Sequence, residues 1–149
     1  MDTILARNPN LKLTLAHFYF LSLDLPRAGR FLDAHPSVCF DLAPHMSMYT
    51  DFSRSPAETR AFFLRYQDRI VFGTDIDTRA LARGAQAFMR YIPWLIRSLL
   101  ECDGPFTTPA GLVFHGLGLP LDVLEKIYRG NFERLYGPHP GALNKVVKC

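Results

Sequence analysis

The segment Arg69-Ile70-Val71-Phe72-Gly73-Thr74-Asp75 constrains the fold of this chain more than any other stretch. A charged residue leads into an apolar run that closes on a Gly-Thr-Asp turn. Such a run reads as a short strand buried on both faces, the habit of parallel sheets. An acid at the C-terminal end of such a strand stands where α/β folds place their chemistry. The plainer reading is a turn in which Asp75 caps the next element.

Two further segments repeat the pattern. Leu11, Leu13 and Leu15 alternate with Lys12 and Thr14 after the turn-like Asn8-Pro9-Asn10, and this strand ends on His17. A histidine there is either a structural hydrogen-bonder or a catalytic group. Val38-Cys39-Phe40-Asp41-Leu42-Ala43 follows His35-Pro36-Ser37 and stops at Pro44. Short buried strands separated by helical patterns spell consecutive βαβ units.

The helices between them are marked by their starts. Asp24-Leu25-Pro26 opens the first, with Leu25, Ala28, Phe31 and Leu32 at helical spacing. Ser55-Pro56-Ala57-Glu58 opens the second, with Ser55 and Glu58 in capping-box relation and Pro56 at the first position. Ala61, Phe62 and Tyr66 are expected to face the sheet. Residues Met46 to Ser53 read as a loop whose Met48, Tyr49 and Phe52 pack locally or wall a substrate site.

After Asp75 the pattern is helical. Thr78 is a candidate cap for a helix carrying Leu81, Ala85, Phe88 and Met89, which Pro93 breaks or restarts before Trp94, Leu95, Ile96, Leu99 and Leu100. Gly104-Pro105 to Gly118 reads as a loop with Phe106, Val113 and Phe114 tucked inward. Pro120 starts a last helix with the stripe Leu121, Leu124, Ile127, Tyr128, Phe132 and Leu135, stopped by Gly137-Pro138. Asp122–Lys126 and Glu125–Arg129 are spaced as pairs on its solvated face.

Composition is that of one folded domain over residues 1–149, 48% hydrophobic and 21% charged. A formal net charge of +3, scattered among acids, gives no footprint for nucleic acid. No apolar run has the length of a membrane span and the N-terminus lacks a secretory pattern, so a cytoplasmic setting is the default expectation. Cys39, Cys102 and Cys149 are odd in number and far apart, which suggests neither a disulfide framework nor a zinc knuckle. Cys39 reads as packing and Cys149 as a free thiol. Phosphate-loop, dinucleotide and Gly-x-Ser-x-Gly motifs are missing.

Taken in order, three motifs resemble the amidohydrolase-related branch of the amidohydrolase superfamily. Asn8 to His17 is similar to that family's sixth strand, and Arg69 to Asp75 to its eighth. Ile127-Tyr128-Arg129-Gly130-Asn131-Phe132-Glu133-Arg134-Leu135-Tyr136-Gly137 resembles its closing helix. The resemblance implies a (β/α)₈ barrel with a mononuclear metal site, zinc or manganese, at its C-terminal face. This chain would supply a partial barrel of about three parallel strands plus C-terminal helices. It implies a metal-dependent hydrolase, in which metal-activated water attacks a small amide, ester or lactone. A non-oxidative decarboxylase of an aromatic or related acid is the alternative, and a catalytically inactive half-barrel the second alternative.

By the same resemblance Asp75 is the metal ligand and general base, and His17 faces the substrate to polarise it or shuttle a proton. Small residues, usually glycines, often follow that histidine in the family, whereas Phe18-Tyr19-Phe20 follow here and suggest a more aromatic pocket wall. The family's first-strand His-x-His pair has no counterpart in the chain, which starts at what resembles the helix before strand six. His35, His45, His115 and His139 read as surface or loop histidines. A full barrel takes roughly 250 residues. A partial one leaves sheet edges unpaired and an apolar face uncovered, with Leu11, Leu13, Leu15, Val38, Phe40, Ile70 and Phe72 as contributors. Self-association, or union with a missing N-terminal barrel half, is the expected consequence; the other expected partner is a small-molecule substrate.

Overall fold

A computed structural model describes residues 2–8, 10–45, 47–77 and 86–138. Thr78, Leu81, Ala85, His139 and Cys149 lie outside the described residues. After α1 (Asp2–Arg7) come β1 (Leu13–Leu15), α2 (Leu25–Ala34), β2 (Val38–Asp41), α3 (Met48–Arg54), α4 (Pro56–Arg65) and β3 (Ile70–Val71). The three strands are parallel in the order β1-β2-β3, with Leu15 beside Phe40 and Phe40 beside Ile70. The result is a mixed α/β fold compatible with part of an amidohydrolase barrel.

Register sorts the strand residues onto two faces. Leu13, Leu15, Val38, Phe40 and Ile70 share one, and Thr14, Cys39, Asp41 and Val71 share the other. Helix α2 covers the first face, where Phe31 stacks on Phe40 at 6.0 Å. Asp24 caps α2 by accepting the Arg27 N–H at 2.9 Å. Helix α4 adds Phe62 and Phe63, while Ala61 points to solvent. Ser55 is its N-cap, but without the side-chain bond that a capping box requires. Val38, Phe40 and Ile70 are therefore fully buried rather than bare, whereas Leu11 remains exposed.

The second face is covered by the terminal helix, which differs from the expected stripe. Helix α6 (Leu121–Glu125) passes through a π turn (Lys126–Gly130) into α7 (Asn131–Tyr136). Leu121, at the first position of α6, stands out in solvent; the wider turn rotates the downstream face, so Phe132 is exposed while Ile127 and Leu135 are buried. Leu135 packs on Cys39 and Val71, and Lys12 Nζ reaches the Leu135 carbonyl at 3.0 Å. The turn also changes the ion pairs. Lys126 meets Asp68 at 3.1 Å and Arg129 meets Glu133 at 2.7 Å.

The same turn caps an edge of the sheet. The Phe72 N–H donates to the Ile127 carbonyl at 2.9 Å. Asn131 Nδ2 donates to the carbonyls of Gln67 at 2.7 Å and Ile70 at 2.8 Å. Arg69 ties the start of β3 to the start of β2, its Nε on the Val38 carbonyl at 2.6 Å and its Nη2 on that of His35. This explains the arginine that leads the β3 run.

Beyond β3 the expectations need three corrections. Helix α5 (Gln86–Glu101) runs through Pro93 without ending. Ile92, Leu95, Ile96, Leu99 and Leu100 all bury in one core, which offsets the ~3 kcal/mol that an internal proline costs. The expected loop after it is an antiparallel hairpin, β4 (Asp103–Thr107) with β5 (Val113–Leu117). Phe106 and Phe114 meet at 6.0 Å as expected, but Val113 is exposed on the outer face. A side chain at Gly116 would collide with the Cys102 carbonyl, so only glycine lets the hairpin close there. The stretch from Met46 to Ser53, read as a loop, contains α3, and Met48 and Phe52 are core residues.

Candidate functional site

Parallel pairing brings the C-terminal ends of β1, β2 and β3 to one side, so His17, Asp41 and Asp75 all leave the sheet there. Asp41 was not singled out in the sequence, although it ends its strand as Asp75 does. Its Oδ1 accepts the backbone N–H of His17 at 2.8 Å and of Ala43 at 3.0 Å. That carboxylate ties the end of β1 to the end of β2. Gly73 makes room for it, since a Cβ at Gly73 would lie 3.1 Å from the Asp41 carboxyl carbon.

His17 opens a turn with an unusual backbone. His17, Phe18, Tyr19 and Phe20 have φ of 58°, 52°, 52° and 57°, the left-handed region that costs a non-glycine residue ~1–2 kcal/mol. Glycine would adopt it freely. Here aromatic packing holds it. Phe18 is buried against Phe40, Phe52, Phe62 and Phe63, and Tyr19 packs on Phe31 at 5.1 Å. Phe18 is thus core rather than pocket wall. Phe20 alone is largely exposed, at 68%. Phe20→Gly is expected to raise stability by about 0.5 kcal/mol, because relief of left-handed strain exceeds the added unfolded-state entropy of glycine. Urea unfolding midpoints are the check; a drop below wild type would mean that Phe20 packs more than its exposure suggests.

A cleft of about 480 Å³ opens beside the strand ends. Asp75, Thr74, His45 and Tyr49 line it together with Phe88, Tyr91 and Phe114 of α5 and the hairpin. Asp75 is exposed with φ 52°, a conformation that Asp tolerates better than most residues. Tyr49 donates its hydroxyl to the Leu42 carbonyl at 3.2 Å, and burial first, then the charge of Asp41, pushes its pKa well above the ordinary value. It stays protonated. His17 is set back from the lining. Its ring packs on Phe20 at 5.5 Å, and Phe20 in turn meets His45 at 5.2 Å. The His17 Nδ1 lies 3.2 Å from the Ala43 carbonyl.

His45, expected as a loop histidine, is the imidazole that reaches the cleft. Its position just past the end of β2 is the signal that could have marked it. Burial lowers its pKa, partly opposed by the Asp51 carboxylate and reinforced by His17. His35 and His115 sit elsewhere, His35 against Phe31 at 4.6 Å and His115 with Nδ1 beside the Gly116 carbonyl at 3.1 Å.

A metal ion does not fit this set. Among the described residues no group of three or more His, Cys, Asp or Glu side chains could hold one. Asp41, the other strand-end carboxylate, already serves two backbone amides. Among the described residues no helix is long and apolar enough to cross a membrane.

No curated protein and no solved structure matches the chain. Residues 1–137 match the amidohydrolase family, whose members are generally metal-dependent. That match covers nearly the whole length, from the lead into β1 through the strand that ends at Asp75 to the Gly137 that stops α7. The chain belongs to the amidohydrolase family.

Proposed function

We propose that this chain carries the base and substrate side of a hydrolytic site, acting on a small ester, amide or lactone with a flat apolar acyl group. One observation carries the reading: Asp75 stands at the C-terminal mouth of a parallel sheet, in the wall of an aromatic-lined cleft. A carboxylate so placed can accept the proton of a water attacking a carbonyl carbon, a contribution of ~10²–10⁴ in rate. Among the described residues no group of three or more His, Cys, Asp or Glu side chains could hold a metal to polarise the carbonyl oxygen. Donors for a metal would have to come from other residues, in a complementary polypeptide or segment. The aromatic lining of Tyr49, Phe88, Tyr91 and Phe114 favours decarboxylation of an aromatic acid as the second reading.

The test offers the purified chain aryl esters, lactones, anilides and aromatic carboxylic acids, with and without zinc or manganese. Slow ester hydrolysis is expected, falling ~10²-fold in Asp75→Asn. The exposed side chain makes that substitution structurally mild. Hydrolysis at an unchanged rate in Asp75→Asn refutes the assignment, and release of carbon dioxide without hydrolysis selects the second reading. Absence of any turnover selects the inactive partial barrel. Zinc titration followed by elemental analysis is expected to find no tight stoichiometric site, because a lone carboxylate falls short of the three protein ligands of catalytic zinc.

A further inference from the structure

Hydrolysis requires that the proton taken from water reach the leaving group. The resemblance gives His17 either polarisation of the substrate or that transfer, but its ring packs on Phe20 and is absent from the cleft lining. We propose that His45 carries the proton in this cleft, held in one tautomer by a buried Asp51–Ser22 relay. The inference rests on the hydrolytic reading above and deepens it.

The tautomer follows from counting protons. Asp51 is buried and its Oδ2 lies 2.8 Å from Ser22 Oγ and 3.1 Å from Ser47 Oγ, with the Arg54 guanidinium 3.5 Å from Oδ1. Ser22 gives its single proton to Asp51 Oδ2. The Ser22 oxygen then presents only lone pairs to His45 Nε2, 3.3 Å away. Nε2 must therefore carry the hydrogen, and the lone pair of the neutral ring resides on Nδ1. Ser22 is itself buried, so water does not readily replace it in the relay. The charged and titratable groups around the ring are Asp51 with Arg54, His17, and across the cleft Asp75, Tyr49 and Tyr91. Burial is the largest influence on the imidazole and favours its neutral form.

The step balances without a further reactant. Water oxygen forms a bond to the carbonyl carbon, the carbonyl π pair moves to its oxygen, and the water proton passes to Asp75. The proton then passes from the Asp75 carboxyl group through water in the cleft that both residues line to His45 Nδ1. As the tetrahedral species collapses, the bond to the leaving oxygen breaks and Nδ1 delivers the proton to it. One ester and one water give one acid and one alcohol, and both side chains return to their starting states. Ser22 and Asp51 are positioning residues, since they act only through the ring.

Nuclear magnetic resonance on histidine-labelled chain reads the tautomer directly, apart from activity. The Nε2–H form is expected for His45 at neutral pH in wild type and in Asp75→Asn, and loss of that bias in Ser22→Ala. Asp51→Asn, which keeps the buried shape, is the second variant if Ser22→Ala does not fold. Benzoate, a flat acid of the product type, is expected to shift the His45 signals on titration. In aryl-ester hydrolysis, His45→Gln is expected to lose ~10²-fold and to lose the limb of the pH profile that His45 contributes. An Nδ1–H tautomer in wild type, His45 signals unmoved by benzoate, or wild-type turnover in His45→Gln would each overturn the proposal. A larger loss in His17→Gln than in His45→Gln would return the role to His17. Hydrolysis that depends on Asp75 but not on His45 refutes the shuttle alone. A wild type that hydrolyses nothing refutes the hydrolytic reading, and the shuttle with it.

Discussion

Phe18→Ala is expected to remove about 3–5 kcal/mol of stability, the usual cost of deleting a fully buried aromatic ring. The ring is inaccessible to solvent and lies 5.0–6.1 Å from four others, those of Phe40, Phe52, Phe62 and Phe63. Those partners come from β2, α3 and α4, so the cavity left behind has walls in three elements that cannot collapse independently. Alanine keeps a Cβ, and the left-handed backbone at this position gains no relief from the change. A domain of ordinary stability has only ~5–15 kcal/mol to lose. Urea unfolding followed by fluorescence and circular dichroism measures the effect. A loss below about 1 kcal/mol would show that the ring cluster repacks around the gap.

Asn131→Ala is expected to cost about 2–4 kcal/mol: the buried Ile70 carbonyl loses this donor at ~1–3 kcal/mol and the partly buried Gln67 carbonyl at about 1 kcal/mol. Asn131 is itself buried, and its amide satisfies the carbonyls of Gln67 and Ile70 at the start of β3. Asn131→Asp separates hydrogen bonding from packing. The carboxylate has nearly the same shape but no N–H to donate, so it should be at least as damaging as alanine. Amide exchange at Ile70 to Phe72 is expected to accelerate in both variants, because the edge of β3 is held by this helix. Unchanged exchange there would mean that the Phe72 bond to Ile127 secures the edge unaided.

The parallel sheet was legible in the sequence because its signals are local. Buried runs with turn residues before them marked β1, β2 and β3, and Asp24 marked α2 through a cap that forms as read. The hairpin was not, because Pro105 and three glycines within residues 104–116 looked like loop chemistry. Its pairing depends instead on cover from α3, α4 and α5. The π turn also escaped reading. Lys126 to Gly130 fit an ordinary helix by spacing, and only the sheet edge, whose Phe72 N–H donates to the freed Ile127 carbonyl, selects the wider form. In the cleft, Asp75 was legible as an acid ending a strand. His45, Ser22 and Asp51 were not, since the relay joins three segments whose proximity arises only from tertiary packing.

Helix α7 occupies the face of the sheet that carries Thr14, Cys39 and Val71. Leu135 rests on Cys39 and Val71, while Lys12, just before β1, and Thr14 within it reach Leu135 and Tyr136 at 3.0 Å and 2.7 Å. A complementary half-barrel or a second copy seeking that face meets a rival already attached to it by the chain. A tethered segment competes at an effective concentration on the order of millimolar. Docking on this face would therefore be an exchange reaction, with a threshold set by release of α7 as well as by the affinity of the incoming group.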